Sequence, residues 1–241
     1  MSTHKTFGRL LAFTRTMPWT LNGTLIKTKV REEREVFNID ALAAVAKEEK
    51  VIAIGECGLD YYREQDYSAE QKLEARRAQR VFRAQADLAL SLDKPLMLHV
   101  RPSASTDGRG KPTAGSDDAY EKIFEILSED KYRGLTRILH FYVGGVAMTQ
   151  RFVDDGYYFT LGGVMTFVRD YDESYKLIPL DRIMLETDAP YVAPAPAPGQ
   201  RNESSFIVET AKKLAEIKGV SYDEVERQTN ENVSRVFNIE L

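Results

Sequence analysis

Cysteine occurs once in this chain, at Cys57. No disulfide can form within the chain, so a reducing compartment, the cytoplasm, is expected. Histidine is nearly as scarce, with only His4, His99 and His140. No apolar run approaches the roughly 18 residues that a membrane-spanning helix needs, and no membrane partner is expected. Acidic side chains are missing from the first 30 residues, which carry Lys5, Arg9, Arg15, Lys27 and Lys29. Overall, however, positive charge is not in excess. The 33 Lys and Arg against 37 Asp and Glu leave a net charge of −4. That argues against a sequence-reading nucleic-acid module built on a basic face. It leaves room for an enzyme that grips phosphates through metal ions.

What is present is ordinary for a soluble globular protein: 241 residues, 43% hydrophobic and 29% charged. That length can bury a core of one large α/β domain or two small ones. From residue 36 the pattern is regular. Asp40–Glu49 reads as a short helix with Leu42, Val45 and Ala46 on one side. Val51–Gly55 reads as a buried strand. Ser68 and Gln71 form a capping box for a helix that runs to about Leu92. Val81, Phe82, Gln85, Leu88, Ala89 and Leu92 line one face of it. Pro95–Val100 is a second buried strand, residues 102–116 a loop, and Asp117–Glu129 a helix. Strands follow at 135–140, 157–161 and 181–186, with helices at 146–155 and about 170–177 between them. Residues 189–198 hold four prolines and are expected to be an extended spacer. Helices at 203–218 and 222–237 close the chain, the second with Ser221 and Glu224 as its capping box.

Apolar strands alternating with helices predict an α/β fold with a parallel sheet, either doubly wound or a TIM-type (β/α) barrel. Active residues of such folds gather at the carboxyl ends of the strands. Glu56, His99, His140 and Asp188 all fall there. Two of the three histidines occupy the same place in successive strand–helix units. Two imidazoles and two carboxylates on one rim suit Zn²⁺, Mn²⁺ or Mg²⁺. Arg101 and Arg201 are candidates to clamp a phosphate, with Arg63 and Arg169 as weaker ones. Cys57 reads as a packed residue rather than a nucleophile. Phe141 and Tyr142 read as pocket wall rather than as a base-stacking platform.

These residues sit in familiar blocks. Gly55-Glu56-Cys57-Gly58-Leu59-Asp60-Tyr61-Tyr62 resembles the signature of the TatD family of metal-dependent deoxyribonucleases. Leu98-His99-Val100-Arg101 resembles its second block and Leu139-His140-Phe141-Tyr142-Val143-Gly144 its third. Leu185-Glu186-Thr187-Asp188-Ala189-Pro190-Tyr191, with Arg201-Asn202-Glu203, resembles its fourth. The resemblance implies a TIM-type barrel and one or two divalent cations per chain. It implies that Glu56 bridges the metals, that His99 and His140 hold one, and that Asp188 binds the other or orients the attacking water. It also implies DNA as the substrate, hydrolysed at its phosphodiester bonds. Glu56 and Asp188 would be catalytic, Arg101 and Arg201 substrate-binding. No obligate protein partner is evident. The rivals are an amidohydrolase-type amide or ester hydrolase and a non-catalytic relative with a weakened metal site.

The N-terminus departs from the family pattern. Members open on a strand ending in His-x-His, and this sequence contains no His-x-His. Five strand–helix units occupy residues 51 to about 200, so only 50 residues precede the first clear strand. An eight-stranded barrel of ~250 residues does not fit, and an incomplete or altered barrel is expected. Residues 1–35 are expected to be a divergent segment and 36–241 the hydrolase domain. Gly8–Thr14 and Thr24–Val30 could each supply an improvised strand. Residues 1–30 are expected to pack less well than 51–190.

Overall fold

A computed structural model describes residues 9–11, 37–61, 69–103 and 117–241. Thr24–Val30, the Ser68 cap, His4 and Arg63 lie outside the described residues, so the expectations placed on them stay untested. Six strands form one sheet: β1 (Arg9–Leu11), β2 (Val51–Asp60), β3 (Leu96–Arg101), β4 (Arg137–His140), β5 (Tyr158–Leu161) and β6 (Ile183–Leu185). They stand in sequential order and every neighbouring pair is parallel. Sequential parallel order with helical crossovers is the wall of a (β/α) barrel. Among the described residues that wall has six strands rather than eight. The improvised strand expected within Gly8–Thr14 is present as β1, paired to the first half of β2.

Helices α1 (Ile39–Ala46), α2 (Ala69–Ser91), α3 (Asp118–Leu127), α4 (Val146–Asp154), α5 (Asp172–Leu177), α6 (Ile207–Lys218) and α7 (Tyr222–Phe237) supply the crossovers and the C-terminal layer. Local chemistry explains their ends. The Asn38 side chain accepts from the backbone N–H groups of Asp40 and Ala41, both at 3.0 Å, and starts α1. Ser221 Oγ accepts from Glu224 N–H at 3.1 Å, as its capping box requires. Gly219, at φ 65°, closes α6 in the left-handed conformation that glycine adopts without penalty. On α2 the predicted face is turned inward: Phe82, Gln85 and Ala89 are buried, and Val81, Leu88 and Leu92 are half-buried. On α1 it is only partly so. Leu42 and Ala46 are buried, but Val45 is 42% exposed, since it falls on the far side of Leu42 from Ala46, at the edge of the stripe.

Several boundaries differ from the sequence reading. The strand expected at 51–55 runs on to Asp60, so Glu56 lies inside β2 and not after it. The strand expected at 181–186 is confined to 183–185, preceded by a 3₁₀ turn at Leu180–Arg182. The helix expected from 203 begins with a 3₁₀ turn at Ser204–Phe206. The proline-rich segment is not an extended spacer. It folds back in turns, with Tyr191 N–H donating to Asp188 O at 2.9 Å and Ala197 N–H to Pro194 O at 2.8 Å. Asn202, fully buried, holds that fold: its Nδ2 donates to Thr187 O (2.5 Å), Tyr191 O (2.7 Å) and Val192 O (3.3 Å). Proline removes backbone donors, and a side-chain amide supplies them instead.

The core fills the space between sheet and helices. Ile54, Leu59, Leu96, Leu98, Leu139, Phe159 and Leu161 meet Phe82, Ile123, Ile126, Phe152 and Leu214 there. A second cluster joins Met97, Ile138 and Met184 of the strands to Val236 of α7. No helix among the described residues is long and apolar enough to cross a membrane.

Candidate metal centre

The carboxyl end of the sheet is where the strands stop being apolar. From Cys57 to Leu59, buried residues alternate with half-buried Glu56, Gly58 and Asp60. Strand periodicity of two therefore sends Glu56 and Asp60 to one face and Cys57 and Leu59 into the core. The register explains how Glu56 reaches the site. Ile54 pairs with Leu96 but Cys57 with Leu98, so β2 carries one extra residue at Gly55-Glu56. Such a bulge re-aims the side chain beside it. Gly58 lies against His99, and a Cβ at Gly58 would sit 1.9 Å from the His99 carbonyl oxygen. Only glycine permits that approach.

His99 pairs with His140 across β3 and β4, so the coincidence in the sequence is a true register match. Their rings lie 6.4 Å apart at 37°. His99 Nδ1 contacts Glu56 Oε1, and His140 Nε2 is 3.9 Å from the same oxygen. Glu56, His99 and His140 each offer one ligand atom, all within 4.8 Å of one another. Two nitrogens and a carboxylate oxygen are the donor set of a borderline divalent cation.

Each imidazole turns its other nitrogen to a further carboxylate. His140 Nδ1 is 2.6 Å from Glu186 Oε2. His99 Nε2 is 3.6 Å from Asp60 Oδ2, within ion-pair reach but beyond a hydrogen bond. A ligating histidine whose second nitrogen faces a carboxylate is the usual arrangement at metal sites. The residues present therefore fit a divalent cation.

The electrostatics agree with a site that attracts positive charge. Burial opposes the charged form of His99, but Asp60 and Glu56 outweigh it and raise its pKa to about 9. Burial also opposes charge on His140, and Glu186, Glu56 and Asp188 outweigh it in the same way. Burial pushes Glu56 up, while the hydrogen bond to His99 and the charges of both histidines bring it below the ordinary carboxylate value. Asp188 goes the other way: burial, with Glu186 and Glu56 nearby, raises it.

The expected site residues come together unequally. Glu56, His99 and His140 form the cluster. Asp188, at φ 53° on the loop after β6, is close enough to influence both histidines but stands outside the three-ligand group. Arg101 is half exposed, 3.5 Å from Asp60 Oδ2. Arg201 lines a groove of about 340 Å³ with Ala189, Pro190, Asn202, Glu203 and Ser204. Arg169 is taken up by Asp172 at 2.8 Å. Cys57 is buried and burial pushes its thiol far up, so it is the packed residue expected and not a nucleophile. Phe141 forms wall beside His140 and against Gly162. Tyr142 belongs to the core, 5.2 Å from Tyr120 and 5.0 Å from Phe159.

Two residues escaped the sequence reading, Asp60 and Glu186. Asp60 left a signal, four residues past Glu56, which matters once the strand is known to continue. Glu186 left none in the local pattern, since its partners come from other strands.

Parallel strands bearing a Glu–His–His cluster at their carboxyl ends are the frame of a TIM-type barrel with a candidate metal centre. The chain belongs to the family described as TatD related DNase, whose model matches residues 16–238. It is 30% identical over 210 residues to the "Uncharacterized metal-dependent hydrolase YcfH" of Escherichia coli K12, covering 86% of this chain and 71% of that protein. It is 31% identical over 209 residues to the "3'-5' ssDNA/RNA exonuclease TatD" of Klebsiella pneumoniae, covering 84% and 71%. The crystal structure of YjjV, a TatD homologue from Escherichia coli K12, superposes with a TM-score of 0.64 at 25% identity, covering 84% of this chain and 70% of that one.

Proposed function

We propose that this chain is a metal-dependent phosphodiesterase that hydrolyses DNA, with Glu56, His99 and His140 as the ligands of a divalent cation. The observation that carries the reading is the convergence of those three side chains on one point at the strand ends. A cation held there supplies electrophilic help to a phosphoryl oxygen and acidifies water. Asp188, on the loop after β6 and close to both histidines, accepts the proton from the attacking water. Arg201, in the groove beside Ala189 and Pro190, and half-exposed Arg101 steady the phosphate. A relative named as a single-strand DNA and RNA exonuclease supports nucleic acid as the substrate class.

Ligand counting sets the expected rate. The sequence has no His-x-His, so among the described residues a second cation would rest on Glu56 and Asp188, an oxygen set that favours weakly held Mg²⁺ over Zn²⁺. One arm of a two-metal clamp is then weak. The test is end-labelled single-stranded DNA incubated with the purified chain and Mg²⁺, Mn²⁺ or Zn²⁺. Slow cleavage, blocked by chelator and lost in His140→Ala, is expected. Intact DNA together with hydrolysis of an amide or carboxylic ester panel would replace this reading with the amidohydrolase one. Fast turnover with two tightly bound ions per chain would refute the ligand count.

A further inference from the structure

Glu186 has no part in the three-ligand cluster, yet it is the best-anchored carboxylate at the site. Its Oε1 accepts from Phe141 N–H at 2.6 Å and from the Thr160 hydroxyl. Its Oε2 lies 2.6 Å from His140 Nδ1. The two anchors come from neighbouring parts of the wall, the residue after β4 and strand β5, while Glu186 itself follows β6. With Oε1 occupied by two donors, the carboxylate can only accept at Oε2. Once the His140 imidazole is neutral, its hydrogen therefore sits on Nδ1, and the lone pair of Nε2 points to the side where Glu56 lies, 3.9 Å away.

We propose that Glu186 is a positioning residue that locks His140 in the Nδ1–H tautomer and so presents Nε2 to the cation. Phe141 N–H and Thr160 keep the carboxylate from turning, and Thr160 itself accepts from the same Phe141 N–H at 3.1 Å. Glu186 touches neither substrate nor metal in this role. The inference rests on the reading of Glu56, His99 and His140 as metal ligands, and it does not depend on which bond is hydrolysed.

The substitutions separate this role from simple support. In Glu186→Gln the amide oxygen must face the Phe141 N–H, which leaves the NH₂ facing His140 Nδ1. Nδ1 then becomes the acceptor and Nε2 carries the hydrogen, so the ligating lone pair is lost. Glu186→Ala removes the lock but imposes no wrong tautomer. Zinc affinity, measured by calorimetry on the metal-free full chain, is expected to fall about 10–100-fold in both, and further in Gln than in Ala. In the ¹⁵N spectrum of the zinc-loaded wild type, with only three histidines to assign, His140 is expected to show Nδ1–H and a metal-bound Nε2.

Wild-type zinc affinity in a folded Glu186→Gln variant would overturn the proposal. So would a wild-type spectrum with hydrogen on Nε2 of His140, or a wild type that takes up no zinc. The wild-type spectrum decides even where the Glu186 variants fail to fold. Tight zinc binding with His140 in the expected form, but no DNA cleavage, would support this assignment while removing the nuclease reading.

Discussion

Strand β4 is four residues long, and its two ends are built on opposite principles. Arg137 opens it at the amino end of the sheet and His140 closes it at the carboxyl end. Arg137 is buried and neutralised. Its guanidinium donates to the Asp155 carboxylate and to the Asp155 carbonyl, both at 2.7 Å, and lies 4.2 Å over the Tyr157 ring. Nearby, Asn232 Nδ2 ties α7 to the start of β6 through Leu180 O (2.8 Å) and Ile183 O (2.6 Å). At the other end, Glu56, Asp60, Glu186 and Asp188 crowd around His99 and His140, and Asp188 is held above its ordinary pKa. One end is balanced in charge, although Arg137 Nε is buried there without a hydrogen-bond partner. The other is left short of positive charge, which the proposed cation would supply. Stability and function are thus divided along the length of single strands, as is usual for parallel barrels.

The sharpest way to break that comparison is to exchange one residue at each end of β4. His140→Ala removes one of three ligands and is expected to abolish tight metal binding. Arg137→Ala leaves Asp155 without its partner inside the sheet's amino end. A fully buried pair broken in this way costs ~3–5 kcal/mol. Asp155 is 40% exposed, so about 2–3 kcal/mol is expected here, or roughly 4–12 °C in Tm. Metal affinity should be kept. Calorimetry and thermal melts on both variants decide it, and metal loss in Arg137→Ala would show that the two ends are coupled.

The pH dependence should differ in sign between metal-free and metal-bound protein. His99 has a folded pKa raised from 6.5 to about 9. A raised pKa contributes stability that is complete below about 6.5 and lost as pH rises through about 9. The metal-free protein should therefore lose melting temperature over that window. Metal affinity should rise across the same window, because a ligating imidazole must shed its proton. Melts with and without zinc between pH 6 and 9.5 test both. A metal-free pH dependence left unchanged by His99→Ala would refute the carboxylate-driven shift on His99.

The same division explains what could be read from the sequence. Apolar strands and capped helices declare themselves by composition and period, so the parallel α/β fold and the Glu56, His99 and His140 cluster were legible. Strand ends were less so. Gly55-Glu56-Cys57-Gly58 looks like the close of a strand, since two glycines in four residues normally punctuate one. Here they permit a bulge and a close approach to His99, and the strand continues to Asp60. Glu186 was hidden for another reason. Its importance lies in Phe141 and Thr160, residues from other units of the wall that no local pattern connects to it.

Asn202 gives the smallest expected effect and the finest test of the division. It stands at the carboxyl end, yet it is built like the amino end, buried and with its amide given to three carbonyls of the 187–192 turn. Its Oδ1 also accepts from Glu203 N–H at 2.9 Å. Asn202→Ala removes these bonds without changing a charge. The freed carbonyls lie on a surface loop where water can reach them, so the cost should fall at the low end of ~1–3 kcal/mol, or a few degrees in Tm. Because the loop carries Asp188 and not the three-ligand cluster, zinc affinity should hold while the rate of DNA cleavage falls. A variant that loses zinc affinity instead would place the 187–192 turn within the metal site itself, and the boundary between the settled and unsettled parts of the rim would have to move inward from Asp188 to Glu186.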